Sequence, residues 1–247
     1  MGEAFRYGVT GLVVVGALTW LVRDEGRAIR SARIAGPLAL IGIALWLILV
    51  FFYAPVERVQ GIVQKIFYVH VPCAPVAYLG FVMTAVGGIG FLRTRDQHWD
   101  RVSVASAEVG VLFCTLILIT GPIWAKPVWG HWWVWDLRLT STLVLWFIYA
   151  AYLFLRSLTA GSDAARTFAS LYGILGTAAI PFVFFAVDLA QGSTLHPSNP
   201  AREGLPTSML IPLLVGFVSF ALVFWYLFAR RLEIAQLEFT RPEVDPG

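Results

Sequence analysis

Residues 129–138 read Trp-Gly-His-Trp-Trp-Val-Trp-Asp-Leu-Arg, so four of the chain's ten tryptophans fall within ten positions, together with one acid and one base. Four indoles this close make a wide, flat apolar surface with polar N–H edges, more than an aromatic belt at a membrane interface ordinarily needs. Such a surface suits a large planar ligand, and Lys126 and Arg138 stand where they can meet negative charge on it. The competing reading is a heavy interfacial anchor. Two histidines flank the run. His70 ends the apolar stripe of Val59, Ile62, Val63, Ile66 and Phe67, just before Val71-Pro72; His196 lies in the segment after Asp188, which Gly and Pro keep irregular. Imidazole is neutral near pH 7 and tolerates burial as a ligand. Two such groups, an aromatic surface and nearby cations match haem b: axial ligands for the iron, stacking for the macrocycle, positive charge for the propionates. A zinc or copper site would use three or four close donors, which these segments do not offer locally. On residue types alone, a lipid-like or quinone ligand and a purely structural role stay open.

The elements that must carry these residues are apolar helices. Apolar residues make up 58% of the 247-residue chain and charged residues 13%, with mean hydropathy +0.75; soluble domains carry about 25% charged residues. Six stretches can cross about 30 Å of hydrocarbon at about 1.5 Å per residue: Ile34–Ala54, Val71–Leu92, Val102–Ile123, Leu139–Leu158, Phe168–Val187 and Ser208–Ala229. None alternates with a period of two, and a helix satisfies its own backbone groups in lipid. The expected fold is all-α, a polytopic membrane helix bundle with six core transmembrane helices. Residues 59–70 add an outward amphipathic helix that turns into the next span at Pro72. A seventh apolar stretch, Gly8–Val22, is either a short extra span or an interfacial helix. No small-residue cleavage pattern follows it before Arg23–Arg27, which argues against a signal peptide. Residues 1–33 then form an N-terminal apolar helix and basic linker, 34–231 the six-helix domain, and 232–247 a cytoplasmic tail.

Charge placement orients the bundle. Arg23, Arg27, Arg30, Arg33, Arg93, Arg95, Arg101, Arg156, Arg166, Arg230, Arg231 and Arg241 all fall on one side, which accounts for most of the 18 lysines and arginines. That side is cytoplasmic by the positive-inside tendency, and the tryptophan run, the 55–70 segment and the 188–206 loop face outward. The net charge of +3 needs no nucleic-acid partner, because no arginine cluster accompanies a soluble binding fold. Neither lysine, Lys65 nor Lys126, stands in a phosphate-binding loop, so any ATP-driven step belongs to a partner. Cys73 and Cys114 sit inside spans and read as small buried hydrophobes. Glu108 is the one acid well inside a span, and Arg101 is a candidate partner for it.

The run Gly121-Pro-Ile-Trp-Ala-Lys-Pro-Val-Trp-Gly-His-Trp-Trp-Val-Trp-Asp136-Leu-Arg138-Leu-Thr resembles, almost residue for residue, the signature of the cytochrome c assembly, tryptophan-rich WWD family, and within it the haem exporter protein C family. Ile66-Phe-Tyr-Val-His70-Val-Pro-Cys-Ala and Thr194-Leu-His196 are similar to that family's two histidine segments, and the likeness extends from about Ile34 to Arg231. The resemblance implies that His70 and His196 are axial ligands to haem iron. It implies a haem-facing platform of Trp129, Trp132, Trp133, Trp135 and Asp136. The partners it implies are a periplasmic haem chaperone, an ABC-type ATPase, a second membrane subunit and a small single-span protein, all at a bacterial cytoplasmic membrane. Departures are Asp188-Leu-Ala-Gln-Gly-Ser, where relatives carry bulky aromatics, and His131, where they carry a small residue.

The expected role is a holding site rather than a reaction centre. Lys126, Arg138 and Arg58 would attract propionates, and Asp136 would hold Arg138 or an indole N–H. One competitor is a cytochrome c synthetase, which by resemblance would have more spans and further histidines. The other is a haem-conducting transporter, for which intramembrane charge is the usual mark and Glu108 the only support.

Overall fold

The computed structural model describes residues 16–158, 162–190, 192–197 and 204–240. Its α-helices are α1 (Glu25–Ile48), α2 (Phe67–Thr94), α3 (Gln97–Trp129), α4 (Leu137–Leu158), α5 (Asp163–Thr177), α6 (Ala179–Leu189) and α7 (Thr207–Thr240). Among the described residues, six helical stretches are long and apolar enough to cross a membrane: Glu25–Tyr53, Ile62–Thr94, Gln97–Trp129, Leu137–Leu158, Asp163–Leu189 and Thr207–Glu238. They coincide with the six expected spans, lengthened at their ends. The last helix runs on to Thr240, so the first residues read as a tail continue it. Most of Gly8–Val22 lies outside the described residues; positions 16–22 are helical, with Leu18 packed on the core and Val22 buried.

α2 and α3 form the centre, with α1 and α7 paired on one flank and α4, α5 and α6 on the other. Lipid gives apolar side chains no reason to prefer one another, so close approach through small residues holds such helices together. A Cβ on Gly80 would lie 2.7 Å from the Gly110 Cα, so the α2 and α3 backbones touch there. Hydroxyls add cross-links: Tyr149 donates to the Gly173 carbonyl at 3.0 Å, and the Tyr152 and Ser103 hydroxyls lie 3.0 Å apart.

One end of the bundle gathers the arginines and their acids. Glu25 meets Arg101 at 2.9 Å, and Asp100 meets Arg156 at 2.6 Å. Glu108 pairs with Arg231 of α7 and not with Arg101, which Glu25 takes. The sequence could not show this, because α7 reaches α3 only in the folded bundle. Glu108 is thus committed to a helix–helix ion pair.

The other end differs from expectation at the 54–70 corner. The expected amphipathic helix over 59–70 is a single 3-10 turn, Ile62–Ile66, that runs directly into α2, and Pro72 and Pro75 lie inside α2. The start of the apolar stripe, Val59 and Ile62, is exposed, Val63 and Ile66 are half-buried, and Phe67 is buried, so the stripe meets the bundle only as it enters α2; the polar Gln64 is buried as well. The corner sits at Gly61 instead, whose φ of 64° is a left-handed conformation that glycine adopts freely. Glu57 prepares that turn by accepting from the Val59 and Gln60 N–H groups at 2.9 and 2.6 Å. Lys65 ties it down by donating to the Val50 carbonyl at the end of the first span.

Candidate functional site

His70 lies in the first turn of α2 and His196 in the 192–197 segment, and the fold brings them to the same cleft. Both line one cavity on the α3 side and a second toward α6 and α7. Arg138 and Thr142 of α4 also line both, so the imidazoles and one guanidinium form their common wall.

Hydrogen bonds fix which nitrogen each ring presents. Thr120 gives its hydroxyl proton to the Leu116 carbonyl at 2.6 Å, so it accepts from His70 Nδ1 at 2.9 Å. His196 Nδ1 lies 2.8 Å from the Pro197 carbonyl, which can only accept. Each neutral ring therefore carries its proton on Nδ1 and leaves a lone pair on Nε2, the arrangement of a histidine ready to ligate metal. Among the described residues no cluster of three His, Cys, Asp or Glu could hold a metal ion. Two imidazoles alone suit an iron that brings its equatorial donors with it. Burial, reinforced by the Arg138 cation, pushes the His196 imidazole from 6.5 down to about 4, which keeps it neutral.

The tryptophan run divides. α3 ends at Trp129, Gly130 closes it with φ 79°, and Asp136 caps α4 by accepting from Leu139 N at 2.8 Å. Trp129 and Trp133 line the cavity on the α3 side, and the Trp133 Nε1 is buried with no partner among the described residues. Trp132 and Trp135 are 59% and 77% exposed and lie outside the lining. Two of the four rings line the cleft, and Trp135 packs edge-on against one of them, Trp133, with centroids 5.7 Å apart. His131 is exposed.

The charged residues also separate. Arg138 donates through Nη1 to the Val183 and Phe184 carbonyls at 2.7 and 3.2 Å, which lays its side chain across the cleft wall. Lys126 is exposed and donates to the Gly130 carbonyl at 2.9 Å, closing the end of α3 instead of lining the cavity. Arg58 is exposed and absent from the lining. Asp136 holds neither Arg138 nor an indole: its second oxygen accepts from the Thr194 hydroxyl at 2.5 Å.

Several lining residues escaped the sequence reading. Ile117, Gly121, Trp124, Ala125 and Val128 all face the cavity from α3 at three- and four-residue steps, a periodicity that could have revealed them. Trp124 packs edge-on to His70 at 5.9 Å and donates to Gln60 Oε1 at 2.7 Å. A Cβ on Gly121 would sit 3.3 Å from His70 Cε1, so that glycine gives the ring its space.

Fold and site together define a polytopic membrane helix bundle with a histidine-paired, tryptophan-lined cleft at one end. A sequence model of the family described as CcmC, Heme exporter protein C, matches residues 22–244. The chain is 37% identical over 188 residues to heme exporter protein C of Bradyrhizobium diazoefficiens, spanning 73% of this chain and 70% of that one. To its Haemophilus influenzae counterpart it is 32% identical over 198 residues, 78% and 80% of the two chains. A cytochrome c biosynthesis ccmC-like mitochondrial protein of Marchantia polymorpha is 38% identical over 180 residues, 72% and 75% of the two. This chain belongs to the heme exporter protein C family.

Proposed function

We propose that this protein holds haem in the cleft, with His70 and His196 as axial ligands, and presents it for cytochrome c maturation. The observation that carries this reading is the matched pair of imidazoles, each with Nδ1 engaged and Nε2 free, on the wall shared by both cavities. Trp129 and Trp133 would pack against the macrocycle, and the unpartnered Trp133 N–H and the Arg138 guanidinium would meet its propionates. The names of the relatives, heme exporters and a protein of cytochrome c biosynthesis, support that cargo and that pathway.

The site faces outward in a bacterial cytoplasmic membrane, an orientation supported by the arginines at the opposite end. The acceptor is a periplasmic haem chaperone, and the ATP-dependent step belongs to an ABC-type complex with a second membrane subunit and a small single-span one. The cleft is a holding and hand-over site rather than a reaction centre.

The full-length protein, purified with haem bound, should show a bis-imidazole optical and paramagnetic-resonance spectrum. His70→Ala and His196→Ala should each lose it, while His98→Ala, at the arginine-rich end, should keep it. A variant lacking either cleft histidine but retaining the wild-type spectrum would overturn the assignment.

A further inference from the structure

The two imidazoles are gripped unequally. His70 sits within a helix, its Nδ1 held by Thr120, its ring seated over Gly121 and edged by Trp124, all three from α3. His196 belongs to an irregular segment, and its Nδ1 bonds to the carbonyl of Pro197, its own neighbour in sequence. Among the described residues, the segment 192–197 is joined to the bundle beyond its own turn by one side-chain hydrogen bond, Thr194 to Asp136. Thr194 passes that restraint on, because its hydroxyl oxygen accepts from the His196 N–H at 3.0 Å. The restraint therefore starts at Asp136, the last residue before α4, one position from the exposed Trp135.

We propose that Thr120 and Thr194 are positioning residues of unequal hold: Thr120 fixes His70 as the resident ligand, and Thr194 latches His196 as the ligand released when the cargo leaves. The inference rests on haem being the cargo of this cleft. Anything that moves the tryptophan segment strains the Asp136–Thr194 bond first, and His196 follows. A charge-assisted hydrogen bond to a carboxylate sets the scale of the effect, on the order of tenfold in a rate or equilibrium.

The test loads full-length protein with haem and measures the rate of loss to excess apomyoglobin. Thr194→Val keeps the side-chain shape but removes the hydroxyl, and should speed haem loss about tenfold; Thr194→Ser should restore the wild-type rate. Ser193→Ala, in the same segment but bonded among the described residues only to Ala190, should lose haem as the wild type does. Thr120→Val should leave the loss rate nearly unchanged and raise the midpoint potential, because a ring N–H without an acceptor makes a less basic ligand; Thr120→Ser should reverse that shift. Wild-type loss rates in Thr194→Val, or equal acceleration in both valine variants, would overturn the proposal while leaving the haem site intact. A wild-type protein that takes up no haem would overturn the site reading and this inference together.

Discussion

At the scale of single residues, the proposed ligation turns on keeping two imidazoles neutral and correctly protonated. His196 is half-buried near the Arg138 cation, and its folded value of about 4 lies below the ordinary 6.5. The sign follows from proton uptake. Between those two values an unfolded chain binds a proton at this position and the folded chain does not, so this residue's share of stability is complete above about 6.5 and falls away as pH drops toward 4. In an NMR titration of the haem-free protein, the His196 ring should still be neutral at pH 5. Half-protonation near 6.5 would show that the ring is solvated as a free histidine is.

At the scale of elements, the tryptophan run is a helix end, a turn and a helix cap in succession, and each part has its own duty. Trp129 and Trp133 line the cavity, so Trp133→Ala should weaken haem retention and alter the bound spectrum. Trp132 and Trp135 are largely exposed and outside its lining. Their replacement by Ala should leave haem bound and protein abundance near wild type, yet weaken capture of a periplasmic haem acceptor and lower cytochrome c assembly. If Trp132→Ala and Trp135→Ala instead vanish from the membrane, and the surviving fraction matures cytochromes at full specific activity, these rings are interfacial anchors. The corner at 54–66 follows the same logic of local positioning. Glu57 and Gly61 shape a turn whose Gln60 steadies the Trp124 ring against which His70 packs.

At the scale of the whole molecule, the ends of the bundle are specialised: acids and arginines interlock at one, and the cleft opens at the other. Orientation is open to direct labelling, because both native cysteines are buried and will not compete with introduced ones. A membrane-impermeant thiol reagent applied from outside should reach His131→Cys but not Gln97→Cys or Ala235→Cys. Labelling of position 131 only from the cytoplasm would reverse the assigned topology. Glu3→Cys reports in the same assay whether Gly8–Val22 crosses.

The six spans were legible in the sequence because hydrocarbon thickness and backbone hydrogen bonding leave an apolar chain few alternatives. His70, His196 and the tryptophan run were legible too, since such residues are conspicuous among aliphatic neighbours and their chemistry is narrow. Thr120 and Thr194 were not. Threonine is common, and each matters only through a partner fifty or more positions away. The sequence also placed Asp136 beside Arg138 and Glu108 near Arg101, where proximity along the chain suggested ion pairs. The tertiary structure gives Asp136 to Thr194 and Glu108 to Arg231, because a carboxylate in a bundle bonds whatever donor the neighbouring element brings within reach. Residue types thus determined what chemistry the chain can hold, and only the folded backbone decided which nitrogen each histidine offers, because the acceptor is Thr120 of α3 for His70 and the carbonyl of the next residue, turned back onto the ring, for His196.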